Sequence, residues 1–496
     1  MVVSRLKTIG DVPSGVQIPA YDRDAHGTGI VHLGLGAFHK AHQAVYTDDA
    51  LAAEGGDWRI TGVSLRSADA VEELRPQNGL FTVIAAGADG TSARVIGSVA
   101  ETLAHAHGDA DRVRAALASP ATRIVTVTVT EKGYGLDRAT GGIDPAHPAI
   151  THDLEHPNAP VGVAGLLVQA LATRRAADNK PFTILSCDNL PNNGELTRGL
   201  ILDFAARFDL ELRDWIAENV AFPSSMVDRI TPAAAADLPV KVRSILGRDD
   251  HAAIETETFS QWVIEDHFPT GRPAWEAGGA LFVDNVAPYE LMKLRMLNGT
   301  HSMLAYAGFL SGHRYVRDVM QDPGLAALVR RHLASAAKTL PPLNGIDFDV
   351  YAADLIRRFE NPSLGHETYQ IAMDGTEKLP QRIFTPAIDA LSAGQNMDAF
   401  AFATAAWMRY CNGYRDNGDD HALRDPREDE IANRIADLTE ASAIAQALFD
   451  LPGFVPKALK FDAPFREQVT KILLEMLSTS TSNCITQEVL GIENNL

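Results

Sequence analysis

Hydrophobic and polar positions alternate differently in the two halves of the chain. Over the first 286 residues, short runs rich in β-branched residues are separated by segments of helical period. The clearest strand is residues 123–130 (RIVTVTVT), which alternate with period two. Further strands are predicted at residues 29–33, 58–65, 80–85, 93–96, 182–187, 262–264 and 280–286. Helices are predicted at residues 109–118 and 161–178, and also after the glycine-rich turn that follows the first strand, where the helix extends to about residue 52. Strand, crossover helix and strand in succession predict a mainly parallel sheet.

From residue 288 onward the pattern changes to helical periods, and convincing strands disappear. Helices are predicted at residues 325–336, 350–359, 398–412, 428–439, 441–448 and 464–478. We therefore expect two domains: an α/β domain over residues 1–286 and a mainly α-helical substrate or catalytic domain over residues 287–496. The seam between two such domains is a common place for a pocket.

A glycine-rich turn directly follows the first strand. The strand GIVHL leads into Gly34, Leu35, Gly36, Ala37 and Phe38, and a helix comes next. Such a turn lets the backbone approach a pyrophosphate, which the N–H groups of the helix N-terminus can bind. His39 stands where a third glycine is usual, so an ordinary strand-to-helix turn is the alternative. With the parallel sheet, the turn favours a Rossmann-like dinucleotide-binding domain over residues 1–286.

Two strand ends carry further candidate cofactor-binding residues. The strand at 58–65 ends before Arg66 and Asp69. An acid there binds the ribose hydroxyls of NAD, whereas an arginine accommodates the 2′-phosphate of NADP. Asp69 favours NAD, with NADP as the alternative, and Asp69 is equally suited to cap the next helix. The strand at 123–130 ends at Thr130 and Glu131, at the edge where ligands of open α/β sheets bind.

Residues 288–301 (PYELMKLRMLNGTH) carry the most concentrated set of groups suited to proton transfer. In a uniform α-helix with Lys293 taken as zero, Glu290 lies at about 60° and His301 at about 80°. Asn298 lies at about 140°. Apolar neighbours would bury much of this helix, and burial should lower the pKa of Lys293 so that it can act as a base. The alternative is a surface Glu290–Lys293 pair, a capping asparagine and an unrelated histidine.

Two other segments carry polar residues at the predicted site. The strand at 182–187 ends in the turn DNLPNNG, where Asn189 could donate a hydrogen bond to a substrate oxygen, although such turns usually bond locally. Residues 222–232 (FPSSMVDRITP) are predicted to form an ordered loop between prolines, with Asp228 as its acid.

Charge and cysteine content exclude several classes of protein. Asp and Glu number 64 against 44 Lys and Arg, a formal charge of −20, which argues against nucleic-acid and anionic-membrane partners. The three cysteines have no paired spacing, so neither disulfides nor a metal site is expected. No apolar run has signal-peptide or membrane-span length. We expect a soluble, cytoplasmic protein.

Five motifs in order resemble one family. They are GLGAFHKAH, VTEKGY, SCDNLPNNG, FPSSMVDRITP and KLRMLNGTH. Together they resemble the polyol-specific long-chain dehydrogenases, the family of mannitol 2-dehydrogenase and its uronate-reducing relatives, over about residues 29–430. The most specific motif, Lys-x4-Asn-x2-His, is met by Lys293, Asn298 and His301. The resemblance implies a Rossmann-like domain followed by a helical domain, no metal, and a monomer or weak homodimer.

The resemblance also implies a role for each candidate residue. Lys293 would be the general base, and Asn189 and Asn298 would donate hydrogen bonds to the alkoxide-like oxygen. His301 and Asp228 would hold substrate hydroxyls, and Glu290 would relay the proton toward water. Lys378 stands where some relatives carry an arginine facing the far end of the substrate, which leaves chain length and substrate charge open.

Four functional hypotheses follow. The favoured one is metal-independent, NAD(P)-dependent interconversion of a polyol and a 2-ketose, with mannitol and fructose as the leading pair. The second substitutes a sugar acid, as in fructuronate or tagaturonate reductases, and would need a cation such as Lys378 or Arg382 for the carboxylate. The third substitutes D-arabinitol. The last is a nicotinamide-binding regulator without turnover, which would have no use for a lysine, two amides and a histidine in this arrangement.

Overall fold

The computed structural model describes residues 4–10, 12–87, 90–137, 140–343 and 345–493. The chain divides into two units, Met1–Ala287 and Pro288–Leu496. Each is described by itself below.

The first unit is built on a parallel sheet. Its strands are β1 Thr28–Leu33, β2 Arg59–Ser64, β3 Phe81–Gly87, β4 Gly90–Ile96, β5 Val99–Ala104, β6 Ile124–Val127, β7 Leu136–Asp137, β8 Gly142–Ile143, β9 Thr183–Ser186, β10 Ser225–Asp228, β11 Ile254–Glu257, β12 Gln261–Glu265 and β13 Leu281–Val283. Five strands form an all-parallel sheet in the order β5-β2-β1-β6-β9. The predicted Rossmann-like domain with a mainly parallel sheet is confirmed.

The apolar strands at the centre are continuous because both faces of the sheet are covered. Along β1, Val31 and Leu33 belong to one buried cluster, whereas Ile30 belongs to another. β9 repeats the alternation with Ile184 and Leu185. Successive side chains therefore point into two separate apolar cores.

Helices of the first unit cover this sheet and connect its strands. They are α1 Ala37–Ala41, α2 Gln43–Glu54, α3 Asp69–Leu74, α4 Ala110–Ala118, α5 Pro148–Glu155, α6 Val163–Ala176, α7 Asn193–Ala206, α8 Leu210–Asn219 and α9 Leu238–Leu246, with 3-10 turns at Arg23–Ala25, Arg75–Gln77, His105–His107, Glu131–Gly133 and Trp275–Gly278.

Four details of this unit differ from the sequence-based predictions. The helix after the glycine turn is interrupted at His42, whose φ of −120° and ψ of −91° separate α1 from α2. β3 and β4 form an antiparallel pair in a separate three-stranded sheet with β11. β5 was not predicted. The segment at 222–232 is not a loop throughout, since it contains β10, which pairs antiparallel with β12.

The second unit is helical and packs around one large apolar core. Its α-helices are α10 Ala287–Met292, which starts at the last residue of the first unit, α11 Gly299–Leu310, α12 Val316–Gln321, α13 Pro323–Lys338, α14 Phe348–Phe359, α15 Thr368–Ala372, α16 Gly375–Leu379, α17 Thr385–Ser392, α18 Asp398–Tyr410, α19 Glu428–Ile435, α20 Ala441–Phe449, α21 Lys457–Lys460, α22 Ala463–Ser478 and α23 Thr481–Glu493. Two π-helical segments interrupt them, Lys293–Asn298 and Pro380–Phe384. The prediction of a helical C-terminal domain is confirmed.

Within the ranges that the structure describes, no helix is long and apolar enough to cross a membrane. Cys187, Cys411 and Cys484 are all buried free thiols.

Candidate active site

The glycine turn after β1 has a conformation that only glycine adopts easily. Gly34 has a φ of +107°, and a Cβ added there would lie 2.0 Å from the carbonyl oxygen of Thr128. The N–H groups of Gly34 and Leu35 both donate to the Val63 carbonyl, at 2.9 and 3.0 Å. These bonds attach the turn to the end of β2, and the Thr128 hydroxyl, just after β6, donates to the Gly34 carbonyl at 2.9 Å.

A buried histidine is hydrogen-bonded to the glycine turn. His32 Nε2 lies 3.1 Å from the Gly34 carbonyl oxygen and 2.9 Å from Thr128 Oγ1, and its Nδ1 lies 2.8 Å from Thr126 Oγ1. The His39 ring stacks on His32 with centroids 3.6 Å apart. Burial lowers the pKa of His32 to about 3, so the ring is neutral and can act as donor and acceptor at once.

The open side of the turn fits the pyrophosphate of a dinucleotide. A Cβ built on Gly36 would meet only the Gly34 carbonyl oxygen, at 3.6 Å, so space adjoins the backbone there. α1 begins at Ala37, and the first N–H groups of a helix have no intrahelical acceptor. The residues from Gly34 to Phe38 can therefore present backbone donors to an anion.

Arg66 and Asp69 are both exposed beyond the carboxyl end of β2. Ser67 Oγ accepts the Asp69 N–H at 3.0 Å, so Ser67 serves the start of α3 and the Asp69 carboxylate is not its cap. The capping role considered as the alternative for Asp69 is therefore taken by Ser67, and the role of Arg66 and Asp69 at the ribose stays a prediction.

The ends of β6 and β9 are joined by one carboxylate. Asp188 accepts the N–H of Val129 at 2.9 Å, the N–H of Thr130 at 3.0 Å and the hydroxyl of Tyr134 at 2.9 Å. Thr130 has a φ of 63° and a ψ of 160°, a backbone region populated almost only by glycine. Glu131, the next predicted cofactor-binding residue, starts the 3-10 turn that follows. Asn189 directly follows Asp188 and is exposed.

A second side chain from the same turn holds β10. Asn193 Nδ2 donates to the carbonyls of Asp188 and Ser225, at 3.0 and 2.8 Å, and its Oδ1 accepts the Ser225 N–H at 2.9 Å. β10 runs from Ser225 to Asp228, three residues or about 10 Å further along. Asp228 ends β10, which pairs with β12 in a three-stranded sheet separate from the parallel sheet, and its exposed fraction is 6%.

In the second unit, the predicted proton-transfer residues lie where a helix changes its hydrogen-bonding period. α10 ends at Met292, the π-helical segment spans Lys293–Asn298, and α11 starts at Gly299. A π-turn pairs residue i with residue i+5, so it brings Lys293 and Asn298 to the same side of the helix. The prediction of a uniform α-helix, with these residues about 140° apart, is wrong here. π-Turns inside α-helices are frequent at functional sites.

Cationic side chains surround His301, one helical turn beyond the π-segment. The ring of His301 lies 4.8 Å from that of Phe359 and 5.2 Å, edge-on, from that of His366. Burial lowers the pKa of His301 well below its usual value, and the charges of His366, Arg358, Arg382 and Lys293 lower it further, in that order. Lys293, Arg358 and His301 are each 7% exposed. The histidine is therefore neutral and its Nε2 is buried without a described hydrogen-bond partner.

The second π-helical segment, Pro380–Phe384, lies against the first. A Cβ on Gly299 would approach the Arg382 carbonyl oxygen to 2.8 Å, so this glycine allows the two segments to meet. Arg382 Nη1 donates to the Asn298 carbonyl at 3.4 Å and to Ser302 Oγ at 3.3 Å. Among the described residues Arg382 has no ion-paired carboxylate, and burial lowers its pKa to about 10.

Lys378 precedes this segment and is held by the chain itself. Its Nζ donates to the Met373 carbonyl at 2.6 Å and lies 3.5 Å from the Asp374 carboxylate. Burial and the nearby charge of Arg382 lower its pKa. Its predicted role at the far end of the substrate stays a prediction, and Arg382 is the cation closer to Asn298.

The structure thus collects the predicted residues into two groups. In the first unit, the glycine turn, Thr130, Glu131 and Asn189 follow the carboxyl ends of strands of the parallel sheet, whereas Asp228 ends β10 in another sheet. In the second unit, Lys293 and Asn298 bound the π-helical segment, His301 lies in the first turn of α11, and Glu290 lies in α10, three residues before Lys293. Sequence reasoning missed Arg358, His366 and Asp188. No sequence signal marks the first two, whereas the strand-end position of Asp188 could have indicated it.

A different part of the first unit encloses a cavity of about 790 Å³. Arg59 at the start of β2 and Glu101 near the start of β5 line it. It therefore lies at the amino-terminal ends of these strands, away from the glycine turn. Among the described residues, no group of three or more His, Cys, Asp or Glu side chains could hold a metal ion.

Comparison with known proteins places this geometry in a family. The family model of the mannitol dehydrogenase Rossmann domain matches residues 28–277, and that of the mannitol dehydrogenase C-terminal domain matches residues 285–475. D-mannonate oxidoreductase of Escherichia coli strain K12 is 41% identical over 484 residues, which cover 97% of this chain and 99% of that protein.

Two solved structures are similar over nearly the whole chain. The ternary complex of Pseudomonas fluorescens mannitol 2-dehydrogenase with NAD and D-mannitol is 37% identical, with 98% of this chain and 99% of the other covered and a TM-score of 0.83. D-sorbitol dehydrogenase in substrate-free form is 32% identical, with 98% and 100% covered and a TM-score of 0.90.

Proposed function

Because the chain belongs to the mannitol dehydrogenase family of oxidoreductases, we propose that it interconverts a polyol and a 2-ketose with NAD, mannitol and fructose being the leading pair. The observation that carries the proposal is the π-turn at Lys293–Asn298. It aligns a buried lysine with a carboxamide, which is what removal of a proton from an alcohol and stabilisation of the resulting oxygen require together.

Lys293 takes the hydroxyl proton of the reacting carbon as hydride leaves that carbon. Asn298 from the second unit and Asn189 from the first donate hydrogen bonds to the oxygen as its negative charge develops. Glu290, on the preceding turn of the helix, passes the proton from Lys293 toward water. The neutral ring of His301 and the carboxylate of Asp228 hold neighbouring hydroxyls of the substrate.

The charges around His301 support this assignment. Arg358, Arg382 and Lys293 all act on the same imidazole, so positive charge is concentrated beside the proposed base. Such charge favours an alkoxide-like oxygen over the neutral alcohol.

The cofactor site belongs to the first unit. The backbone N–H groups from Gly34 to Phe38 bind the pyrophosphate, and Asp69 binds the adenosine ribose. Thr130 and Glu131 adjoin the nicotinamide end. A bound nicotinamide accepts the hydride. Arg66 beside Asp69 would also tolerate the 2′-phosphate of NADP.

A sugar acid is a second candidate substrate, and Arg382 favours it. This guanidinium lies beside Asn298, donates only to a carbonyl and a hydroxyl, and has no described carboxylate partner. A buried arginine with such weak acceptors is suited to a substrate carboxylate. The similarity to D-mannonate oxidoreductase over nearly the whole chain supports the same candidate.

One substrate panel tests the proposal. The purified protein is assayed with mannitol, D-arabinitol, sorbitol and D-mannonate, each with NAD and NADP. Oxidation of mannitol with NAD supports the leading pair. Preference for mannonate that Arg382→Met abolishes, while mannitol oxidation persists, supports the sugar acid. NADH binding without turnover of any compound would instead make the protein a nicotinamide-binding regulator.

A further inference from the structure

We propose that Asp188 is a positioning residue that sets the place of Asn189 by holding the end of β6 in a strained conformation. The inference rests on the proposed function, in which Asn189 donates a hydrogen bond to the reacting oxygen. Asp188 itself is not assigned any contact with substrate or cofactor. Its three donors, the N–H groups of Val129 and Thr130 and the Tyr134 hydroxyl, all belong to the segment that follows β6.

The backbone of Thr130 is strained. Its φ of 63° and ψ of 160° are unfavourable for any residue with a Cβ, and such a backbone persists only where its surroundings fix it. The Asp188 carboxylate is the group that fixes it, because Oδ1 receives the Thr130 N–H itself and Oδ2 receives the preceding N–H. Backbone strain of this kind concentrates at functional sites.

The position of Asn189 depends on how Asp188 is held. The Asp188 carbonyl accepts the N–H of Leu190 at 2.9 Å and the Nδ2 of Asn193 at 3.0 Å. Asn189 is therefore enclosed in a short turn whose preceding residue is held at both its side chain and its carbonyl. A displacement of Asp188 would move Asn189 relative to Thr130 and Glu131, and also relative to β10, which Asn193 holds through Ser225.

The number of donors explains why a carboxylate is needed. An ionised carboxyl group only accepts hydrogen bonds, and both of its oxygens are used here. In Asp188→Asn one oxygen becomes an NH2 group that faces N–H or O–H donors. At least one of the three bonds is then lost without much change in side-chain volume.

Asp250 provides a matched control in another part of the unit. It too is buried and accepts two backbone N–H groups and one side-chain donor, from Thr82 at 2.6 Å, Ala252 at 2.9 Å and Gln77 at 2.7 Å. It lies beside β11 and β3, in a sheet separate from the predicted site. Asp250→Asn therefore reports the general effect of the same chemical change on folding.

The test compares Asp188→Asn, Thr130→Gly, the double variant and Asp250→Asn in the full-length protein with bound NAD. We expect Asp188→Asn to lower kcat by about 100-fold, because a misplacement of about 1 Å of a catalytic group such as Asn189 can have an effect of this size. Asp250→Asn should lower the urea midpoint and leave kcat at the wild-type value. Thr130→Gly should raise the kcat of Asp188→Asn by roughly tenfold, because glycine adopts the required backbone without strain. An equal effect of Asp188→Asn and Asp250→Asn on kcat, or no recovery in the double variant, overturns the proposal.

A readout without turnover separates this proposal from the proposed function. If the wild type oxidises none of the compounds in the panel, the proposed function fails, but the urea midpoints still report the link between the two residues. The change in urea midpoint caused by Thr130→Gly should then differ between the wild-type and Asp188→Asn backgrounds, because the backbone of Thr130 is strained only while Asp188 holds it. If the changes in urea midpoint caused by the two substitutions are additive, the proposed link between Asp188 and Thr130 is overturned.

Discussion

The two units place their candidate functional residues by different structural means. In the first unit these residues stand at the ends of regular strands, where the glycine turn, Thr130 and Asn189 follow β1, β6 and β9. In the second unit they stand inside a helix, at the place where its hydrogen-bonding period changes. Strand ends supply backbone donors and short turns, which suit a large cofactor. An interrupted helix supplies side chains in a buried and precisely spaced group, which suits proton transfer.

Replacement of the lysine in the π-turn should have the largest effect. We expect Lys293→Ala to lower kcat by about 10²–10⁴, the usual contribution of a general base, with little change in NADH affinity. Steady-state assays and fluorescence titration with NADH measure the two quantities. Lys338→Ala, at an exposed position at the end of α13, is the control. Turnover near the wild-type value in Lys293→Ala would contradict the assignment of Lys293 as the general base.

The two carboxamides offer a direct comparison between the units. Because Asn189 and Asn298 are assigned to the same oxygen, Asn189→Ala and Asn298→Ala should each lower kcat by about 10²–10³, the loss typical of one oxyanion donor. The double variant should lose less than the product of the two factors, since residues that act as a unit are not additive. A normal kcat in either single variant would restrict stabilisation of the oxygen to the other unit.

This comparison also explains which features the sequence could predict. The parallel sheet, the glycine turn and six helices of the second unit (α13, α14, α18, α19, α20 and α22) were predicted because apolar periodicity and glycine reflect local backbone requirements. β10 was missed because SSMVD shows no clean alternation and forms a strand only by pairing with β12. β3 and β4 were predicted as strands, but their antiparallel pairing depends on contacts that no local pattern encodes.

The π-turn was missed for a related reason. The backbone hydrogen bond of a π-segment spans five residues instead of the four of an α-helix. The apolar neighbours Met292 and Met296, both fully buried, keep an ordinary spacing of four. The Lys-x4-Asn spacing could have indicated it, because a five-residue separation is aligned in a π-turn. The cationic group around His301 combines residues up to 89 positions apart. Such a group becomes visible only in the folded chain.

A smaller effect should distinguish the two glycines of the first unit. Gly36→Ala should weaken NADH binding by the order of tenfold, equivalent to about 1.4 kcal/mol, because its methyl group projects into the space offered to the cofactor. It should leave the urea midpoint unchanged, since the backbone of Gly36 is extended. Gly34→Ala should instead destabilise the fold, because its Cβ would overlap the Thr128 carbonyl. Equal effects of both variants on stability would contradict the assignment.

Buried neutral imidazoles are the feature that the two units share, and they give both the same response to acid. Burial lowers the pKa of His32 to about 3 in the first unit and that of His332 to about 4 in the second. Below the unfolded pKa of about 6.5, the unfolded chain binds protons that the folded chain does not, so stability rises with pH and is lost as pH falls below that value. Each such histidine contributes a slope of about 1.4 kcal/mol per pH unit between about pH 6 and 5. Because the His332 side chain is 1% exposed, His332→Phe should reduce the measured slope by about that amount in urea titrations, with His156→Phe at an exposed position as the control. An unchanged slope would mean that His332 already carries its proton in the folded second unit.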